Sequence, residues 1–466
     1  MKFKPYPKYV DSGVEWLGEI PEGWAEMDVK FASSIELSNV DKHTVEGEPE
    51  AFLCNYTDVY NNSVLTNGID YLKATASKEQ LDRLQLCEGD VIITKDSETP
   101  DDIGIPALVV DTQLNLVCGY HLALIRPDSK CLVGGYLAWF CRSKNAKSYF
   151  EIEAVGMTRY GLGKYSIANQ PIPLPPLSTQ QAISSFLDSS TARIDSLVQD
   201  YEALIALLQE KRQALISHAV TRGLSGLVCP DDPDFGEWAK PVKFVDSGVE
   251  WLGEIPEGWK VTLYKRELSF ITSGSRGWAE YYSDEGSVFL RIGNLTRDTI
   301  SLDYRNIQRV TVPQNAESER TKVERGDVLF SITADIGSVA VVDDASEPMY
   351  INQHIALTRL RKNSRLLPSW IAYSVFSDYG QSQLSTKSYG GTKIQLSLDD
   401  VKEIFIAYPP ISEQSTILSF LSRETAKIDA LVKETRDAIE LLKEHRAALI
   451  TNAVTGKINV EEWAEA

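Results

Sequence analysis

The chain of 466 residues has few of the features that mark membrane, secreted or metal-binding proteins. It has no run of eighteen apolar residues, and its opening segment MKFKPYPKYVD lacks the apolar region of a signal peptide. Its six cysteines form no C-x-x-C pair, and its five histidines form no H-x-x-x-H pair. We therefore expect a cytoplasmic protein with reduced thiols, without a metal site and without membrane contact.

Catalytic motifs are also missing. An adenine methyltransferase needs an acid or amide before Pro-Pro, and the Pro-Pro pairs of this chain lie in PLPPL and AYPPI. The segment GMTRYGLGKYS lacks the glycine five residues before Gly163 that a phosphate-binding loop requires. We expect a chain that is not an enzyme and binds no cofactor of its own.

Positive charge is scarce. The formal net charge is −19; residues 25–174 hold 13 basic and 21 acidic side chains, and residues 260–408 hold 18 of each. Because basic residues supply most of the non-specific affinity for nucleic acid, the isolated chain should bind DNA weakly.

What the chain does have is a long internal repeat. The phrase VDSGVEWLGEIPEGW occupies residues 10–24 and returns unchanged at residues 245–259. A second repeated block begins at Pro175 and again at Pro409 with the motif P-P-(L/I)-S-x-Q. The repeated blocks, which we call the frame, alternate with two unlike segments, the inserts, at residues 25–174 and 260–408. This order indicates duplication followed by divergence of the inserts. The tryptophans of the phrase are interpreted as pins that hold each insert on the frame: Trp16, Trp24, Trp251 and Trp259.

The second block predicts a long helix in each half. It contains neither Gly nor Pro until Gly223 and Gly456, where a left-handed residue ends a helix, and Ser178 and Ser412 are expected N-caps. About forty residues give a rod of about 60 Å. We predict that the two rods pack antiparallel along an apolar stripe formed by Leu187, Ile194, Leu197, Tyr201, Leu204, Leu208, Leu215, Leu421, Ile428, Leu431, Ala438, Leu442 and Leu449.

The inserts are predicted to share an α+β fold. Each has a G-D-V strand, at residues 88–94 and 325–331, and a second strand, at 120–126 and 353–359. Each then has an aromatic helix and closes with G-x-T-basic-x-x-L. The fold class is therefore α+β, with two globular domains separated by two long antiparallel helices in a pseudo-two-fold repeat.

With these motifs present twice, the sequence resembles the DNA specificity subunits of type I restriction–modification systems over nearly the whole chain. The resemblance implies two target-recognition domains that each read half of a split, asymmetric sequence in double-stranded DNA. It also implies that two methyltransferase subunits dock on the helices and that restriction subunits, when present, attach to that core. S-adenosylmethionine, ATP and Mg are then expected on the partner subunits. The alternative is a coiled-coil scaffold whose two inserts bind proteins.

The expected segments follow from the repeat. They are an N-terminal joint (1–24), recognition domain 1 (25–174), the central helical spacer (175–222), a linker with the second joint (223–259), recognition domain 2 (260–408), the C-terminal helical spacer (409–456) and a tail (457–466).

Candidate DNA-contacting residues lie in loops near the ends of predicted strands. Arg159 and Lys393 occupy the same place in the closing motif, and each is either a DNA contact or a solvated charge. Arg276, in a glycine-rich loop, could pair with guanine, and Asn294 could reach a base edge or close a turn. The full set is Thr158, Arg159, Tyr160, Lys164, Arg276, Asn294, Arg297, Thr392 and Lys393. His121 and His354 are interpreted as structural.

Overall fold

The computed structural model describes residues 4–274, 276–387 and 395–461. The first half of the chain contains fifteen strands and seven helices among these residues. The strands are β1 Tyr9–Asp11, β2 Glu19–Pro21, β3 Ala25–Asp28, β4 Ser33–Leu37, β5 Glu50–Cys54, β6 Val64–Leu65, β7 Leu72–Thr75, β8 Val91–Thr94, β9 Asp96–Ser97, β10 Pro106–Val109, β11 Leu116–Cys118, β12 Leu122–Pro127, β13 Val155–Gly156, β14 Tyr160–Gly161 and β15 Pro171–Leu174. The helices are α1 Val29–Ala32, α2 Tyr56–Asn61, α3 Lys78–Leu84, α4 Gly134–Arg142, α5 Lys144–Glu153, α6 Lys164–Ala168 and α7 Leu177–Arg222.

The second half contains twelve strands and five α-helices among the described residues. The strands are β16 Phe244–Asp246, β17 Glu254–Pro256, β18 Lys260–Leu263, β19 Leu268–Ser273, β20 Tyr282–Ser283, β21 Ser287–Leu290, β22 Gln308–Val310, β23 Val328–Ser331, β24 Val339–Val341, β25 Met349–Ile351, β26 Ile355–Leu360 and β27 Phe405–Tyr408. The helices are α8 Ala316–Thr321, α9 Pro368–Phe376, α10 Asp378–Lys387, α11 Leu398–Lys402 and α12 Ile411–Val454. Short 3-10 helices are formed by Gly236–Ala239, Tyr264–Arg266, Trp278–Tyr281 and Ile292–Asn294.

The chain forms two compact units, and both long helices contribute to each of them. Unit 1 contains residues 1–201 and 436–466, and unit 2 contains residues 202–435. None of the helices in the described part of the chain has the length and hydropathy of a membrane-crossing segment.

Four strands of the main sheet follow the same order in the two units. Unit 1 has a main sheet in the order β4-β12-β8-β10-β6, and unit 2 has one in the order β19-β26-β23-β24. A smaller sheet contains a parallel pair in each unit, β5 with β11 and β21 with β25. The α+β class and the internal repeat predicted from the sequence are confirmed.

The G-D-V motif is explained by one buried carboxylate in each unit. Asp90 binds the guanidinium of Arg126, with Oδ1 2.8 Å from Nε and Oδ2 2.8 Å from Nη2, and its Oδ2 also accepts from the backbone N–H of Cys87. In unit 2 the carboxylate of Asp327 is bound in the same way by Arg359. A buried carboxylate needs such partners because desolvation penalises its charge. The motif therefore closes the turn before the central strand and ties it to its neighbour.

The glutamine of P-P-(L/I)-S-x-Q fixes the start of each long helix. The side chain of Gln180 accepts from the N–H of Val133 at 2.8 Å and donates to the carbonyls of Cys131 and Pro175. Gln414 makes the corresponding three bonds in unit 2, including one of 3.0 Å from the N–H of Leu367. The helices begin at Leu177 and Ile411, so the prediction that Ser178 and Ser412 are N-caps is wrong. Both serines lie inside the first turn.

The long helices run antiparallel in each unit. In unit 1, Thr179 Oγ1 donates to Glu461 at 2.7 Å, and Arg446 binds Asp195 at 2.8 Å. In unit 2, Arg212 binds Asp429 at 2.9 Å near the packed side chains Leu208, Ile428 and Val432. The predicted stripe is only partly correct, because three of its leucines are exposed: Leu197, Leu204 and Leu431.

In each unit, the second tryptophan of the repeated phrase packs against the C-terminal end of a long helix. Trp24 is 8% exposed and lies beside Gly456, whose φ is +71°. Trp259 is 7% exposed, donates from Nε1 to Glu413 at 3.0 Å, and lies beside Gly223 with φ +73°. Both glycines end their helices in the left-handed conformation, as predicted. Trp16 and Trp251 are 37% and 48% exposed, so the pinning interpretation describes only the second tryptophan of each phrase.

Candidate functional site

The strongest candidate site is an open cleft of about 920 Å³ in unit 1. The described residues that line it are Tyr56, Tyr60, Asp96, Ser97, Glu98, Thr99, Asp102, His121, Thr158 and Arg159. Two of the predicted DNA-contacting residues, Thr158 and Arg159, therefore share a surface with carboxylates, aromatic rings and a histidine.

A short hairpin presents Thr158 and Arg159. Strands β13 and β14 pair, so that residues 157–159 form the tip, and β14 pairs in turn with β9. A Cβ on Gly156 would lie 1.9 Å from the carbonyl oxygen of Arg159, so only glycine fits there. The first glycine of G-x-T-basic is thus required by a tight turn that brings Arg159 to the edge of the cleft.

Arg159 lies against a fixed histidine. Its Nη2 is 3.3 Å from Nδ1 and 3.4 Å from Nε2 of His121, and the Nδ1 of His121 is 2.8 Å from Oδ2 of Asp96. Burial raises the pKa of Asp96, but hydrogen bonds from His121 and Lys95 outweigh burial, and the pKa is lowered overall. The ionised carboxylate therefore anchors the ring that contacts the guanidinium.

Two tyrosines also line the cleft. The rings of Tyr56 and Tyr60 are stacked with centroids 5.6 Å apart. Tyr60 Oη donates to Asp102, with oxygen–oxygen distances of 3.1 and 3.3 Å, and this hydrogen bond raises the pKa of Tyr60. Both a flat apolar surface and hydrogen-bond acceptors are thus available in the cleft.

The other predicted residues of unit 1 lie outside this lining. Tyr160 belongs to β14 and packs, half-buried, against the core. Lys164 begins α6, and its Nζ is 3.2 Å from Oε1 of Glu36, so its charge is already paired.

In unit 2 the predicted residues are dispersed among different loops. Asn294 is buried, accepts from the N–H of Arg291, and donates to two backbone carbonyls, which favours turn closure over a base contact. Arg297 is exposed and binds Asp335 at 2.7 Å. Arg276 is exposed in the loop after β19. Thr392 and Lys393 lie outside the described residues.

Sequence reasoning missed Tyr56, Tyr60, Asp96 and Asp102, and assigned His121 to structure alone. The available signal was weak, because the segment that holds Asp96 and Asp102 has no clear counterpart in the second insert. In unit 2 the equivalent His354 is bound by Thr333 Oγ1 at 2.8 Å, where unit 1 uses Asp96. The shared histidine thus has a different partner in each unit.

Comparisons with known proteins agree with the repeat. The model of the type I restriction modification DNA specificity domain matches residues 48–204 and 280–441. The EcoKI specificity subunit of Escherichia coli (strain K12) is 21% identical over 96% of this chain and 92% of that subunit. The EcoBI specificity subunit of Escherichia coli is 24% identical over 65% of this chain, and the alignment spans 62% of that subunit.

A solved structure supports the same fold. A chain from a study of complex assembly and conformational transition of the type I R-M system has a TM-score of 0.69 and 19% identity, covering 94% of this chain and 99% of its own. Because the family model matches more than half of the sequence, in two separate regions, the chain belongs to the family of type I restriction–modification DNA specificity subunits.

Proposed function

We propose that this chain is the non-catalytic subunit that reads a bipartite, asymmetric target in double-stranded DNA. The observation that carries the proposal is the combination of a repeated frame with unlike surfaces. Four strands of the main sheet follow the same order in both units, but the histidine that borders the unit 1 cleft has a different partner in unit 2. One scaffold used twice, with different side chains, suits two different half-sites on one duplex.

We assign the recognition domains to residues 25–174 and 260–408, the helical spacers to residues 175–222 and 409–456, and the joints and linker to residues 1–24 and 223–259, with a tail at 457–466. The proposed DNA-contacting set remains Thr158, Arg159, Tyr160, Lys164, Arg276, Asn294, Arg297, Thr392 and Lys393. Within it, Arg159 has the strongest geometric support and Asn294 the weakest.

Partner subunits have to supply much of the attraction to phosphate. The two inserts carry net charges of −8 (13 − 21) and zero (18 − 18), and affinity for the DNA backbone comes mainly from cations. This chain therefore contributes discrimination between sequences more than binding strength. In this proposal the partners are two methyltransferase subunits, joined in complete systems by restriction subunits. They bind S-adenosylmethionine, ATP and Mg in the cytoplasm, and this chain binds no cofactor itself.

Exposed apolar side chains on the long helices support the docking of two like partners. Leu197 and Leu431 occupy equivalent positions of the repeat, 46% and 42% exposed, and so do Leu207 and Leu441, 63% and 67% exposed. A single exposed leucine is common on a protein surface, but here leucine is exposed at the same two positions of both repeats. Because each repeat exposes the same residue type at the same place, two copies of one subunit would meet the same surface.

A domain exchange tests the recognition claim. Residues 260–408 are replaced by the matching insert of another family member, and the methylated sequence is read by single-molecule methylome sequencing of cells that also contain the methyltransferase subunits. We expect one half of the target to change while the other half stays the same. A change in both halves, or an unsplit target in the wild type, would contradict the proposal. Methyl transfer by the purified chain alone would contradict the non-catalytic assignment.

The docking claim has a separate test. The double variant Leu197→Glu/Leu431→Glu places charge on the proposed contact, and the matched control Ser185→Glu/Ser419→Glu adds the same charge at exposed, equivalent positions of the same helices. Burial of one leucine side chain is worth about 1.5–3 kcal/mol, so we expect at least about tenfold weaker capture of the methyltransferase subunits by the first variant and little change in the control. Equal capture by both variants would show that the partners dock elsewhere.

A further inference from the structure

The cleft of unit 1 has more negative than positive charge. Three carboxylates line it, those of Asp96, Glu98 and Asp102, whereas Arg159 is the guanidinium in the same described lining. A surface of this composition repels phosphate, which has no proton to donate to a carboxylate. Base edges differ from phosphate because the exocyclic amines of cytosine and adenine are donors in the major groove. The composition therefore fits base edges and does not fit the DNA backbone.

We infer that this cleft is the base-reading surface of unit 1, in which Arg159 binds a guanine and the carboxylates of Glu98 and Asp102 accept from the exocyclic amine of a nearby cytosine or adenine. The inference rests on the proposed function and adds to it the class of base that this half of the chain selects. Arg159 is suited to guanine because its planar guanidinium donates two parallel hydrogen bonds to O6 and N7.

His121 and Asp96 are positioning residues for Arg159. An arginine at the tip of a hairpin has several rotatable bonds, and binding is weakened by the entropy lost when they are fixed. Here the guanidinium lies 3.3 Å from a ring nitrogen of His121, and Asp96 holds that ring at 2.8 Å. The geometry fixes the guanidinium before DNA arrives, so less ordering remains for the binding step.

Asp102 is positioned in a comparable way. Its carboxylate accepts from Tyr60, whose ring is stacked on Tyr56 in the helix that follows β5. A carboxylate oxygen has two lone pairs, so a hydrogen bond from Tyr60 leaves capacity to accept from a base amine. The tyrosine rings also give a flat surface that a base or its methyl group can contact.

The test compares Arg159→Ala with Lys147→Ala, an exposed lysine on α5 outside the cleft lining. Each full-length variant is produced with the methyltransferase subunits in a host without other DNA methylation, and methylome sequencing gives the target sequence. For Arg159→Ala we expect one G·C position in one half-site to become degenerate, with its base preference falling about 5- to 150-fold, while the other half-site and the spacing stay fixed. Lys147→Ala should keep the wild-type target.

Variants of the positioning residues extend the test. Asp96→Ala should relax the same G·C position, and Asp96→Asn, which retains an acceptor oxygen for His121, should restore part of the preference. A purely structural role would instead lower the yield and melting temperature of the complex without altering the sequence that it methylates.

The outcomes distinguish failure of the base-reading assignment from failure of the proposed function. Uniformly weaker methylation at an unchanged target would identify Arg159 as a phosphate contact and overturn the inference, as would an unchanged target at full activity. Relaxation at an A·T position alone would overturn the assignment of guanine. If the wild-type complex methylates a target that is not split, the proposed function itself fails, whatever Arg159 does.

Discussion

Replacing Gly456 by alanine tests the joint between the repeated phrase and the end of α12. Gly456 has φ +71°, and a Cβ at this position would lie 2.4 Å from both Cδ and Cγ of Pro21 and 3.1 Å from the ring of Trp24. The left-handed conformation costs an alanine about 1–2 kcal/mol, and overlap with a packed neighbour adds about 1–3 kcal/mol. Destabilisation of unit 1 by about 2–5 kcal/mol follows.

The repeat provides the matched control. Gly223 has nearly the same φ, +73°, but a Cβ there would lie 3.6 Å from Trp259 and 3.9 Å from Glu413, which are ordinary contacts. Gly223→Ala should therefore show only the conformational cost of about 1–2 kcal/mol. For units of this size 1 kcal/mol corresponds to about 2–4 °C in Tm, so we expect losses of about 10 °C for Gly456→Ala and about 5 °C for Gly223→Ala.

Differential scanning calorimetry measures both shifts, and hydrogen exchange of peptides around each glycine assigns each loss to its unit. Equal shifts for the two variants would show that Pro21 and Trp24 do not press on Gly456, and the described joint would be wrong. A larger loss for Gly223→Ala would contradict the steric argument directly.

Two further predictions concern carboxylates. Asp327→Ala removes two hydrogen bonds from the guanidinium of Arg359, which keeps its ion pair with the exposed Glu324 at 2.7 Å. The alanine variant should therefore lose about 1.5–3 kcal/mol in the free energy of unfolding, and Asp327→Asn should lose less. A loss below about 1 kcal/mol in urea titrations of the alanine variant would contradict this. Hydrogen bonding by Arg423 lowers the pKa of Asp232 to about 2. The contact therefore stabilises the linker fully above the ordinary aspartate pKa of about 3.9, and this stabilisation is lost as the pH falls through about 2. Cleavage within residues 229–241 by pepsin should accelerate in the wild type as the pH falls from about 3.9 to about 2. Asp232→Asn should abolish this acceleration, and an unaltered pH profile in the variant would refute the assignment.

The sequence predicted the frame well because the frame is made of repeated contacts. Gln180 and Gln414 recur because each makes the same three hydrogen bonds, and the G-D-V aspartates recur because each binds an arginine of the neighbouring strand. A contact that is built twice leaves a pattern that can be recognised without coordinates.

The site was less predictable because its contacts come from unlike loops. Asp96 and His121 lie 25 positions apart and meet where β8 pairs with β12, whereas Arg159 reaches them only through the pairing of β14 with β9. Periodicity placed Leu197 in the helix seam, but the exposed face of the helix carries the same spacing as the buried one. Apolar spacing therefore indicates a helix surface without indicating what covers it.

The joint in unit 1 differs from the joint in unit 2 in how the chain connects it. In unit 2 residues 224–244 run continuously from the end of α7 to the repeated phrase. In unit 1 the end of α12 meets the N-terminal joint (residues 1–24) through bonds such as Tyr9 Oη to the carbonyl of Gly456 at 2.9 Å and Asn459 N–H to the carbonyl of Lys4 at 2.9 Å. The same joint is therefore formed in unit 2 with a short peptide linker between the helix end and the phrase, and in unit 1 without one. Non-covalent contacts thus suffice to form it. A single cut of the chain between residues 229 and 241 should leave two fragments that stay associated, with Trp24 still packed beside Gly456 and Trp259 beside Gly223.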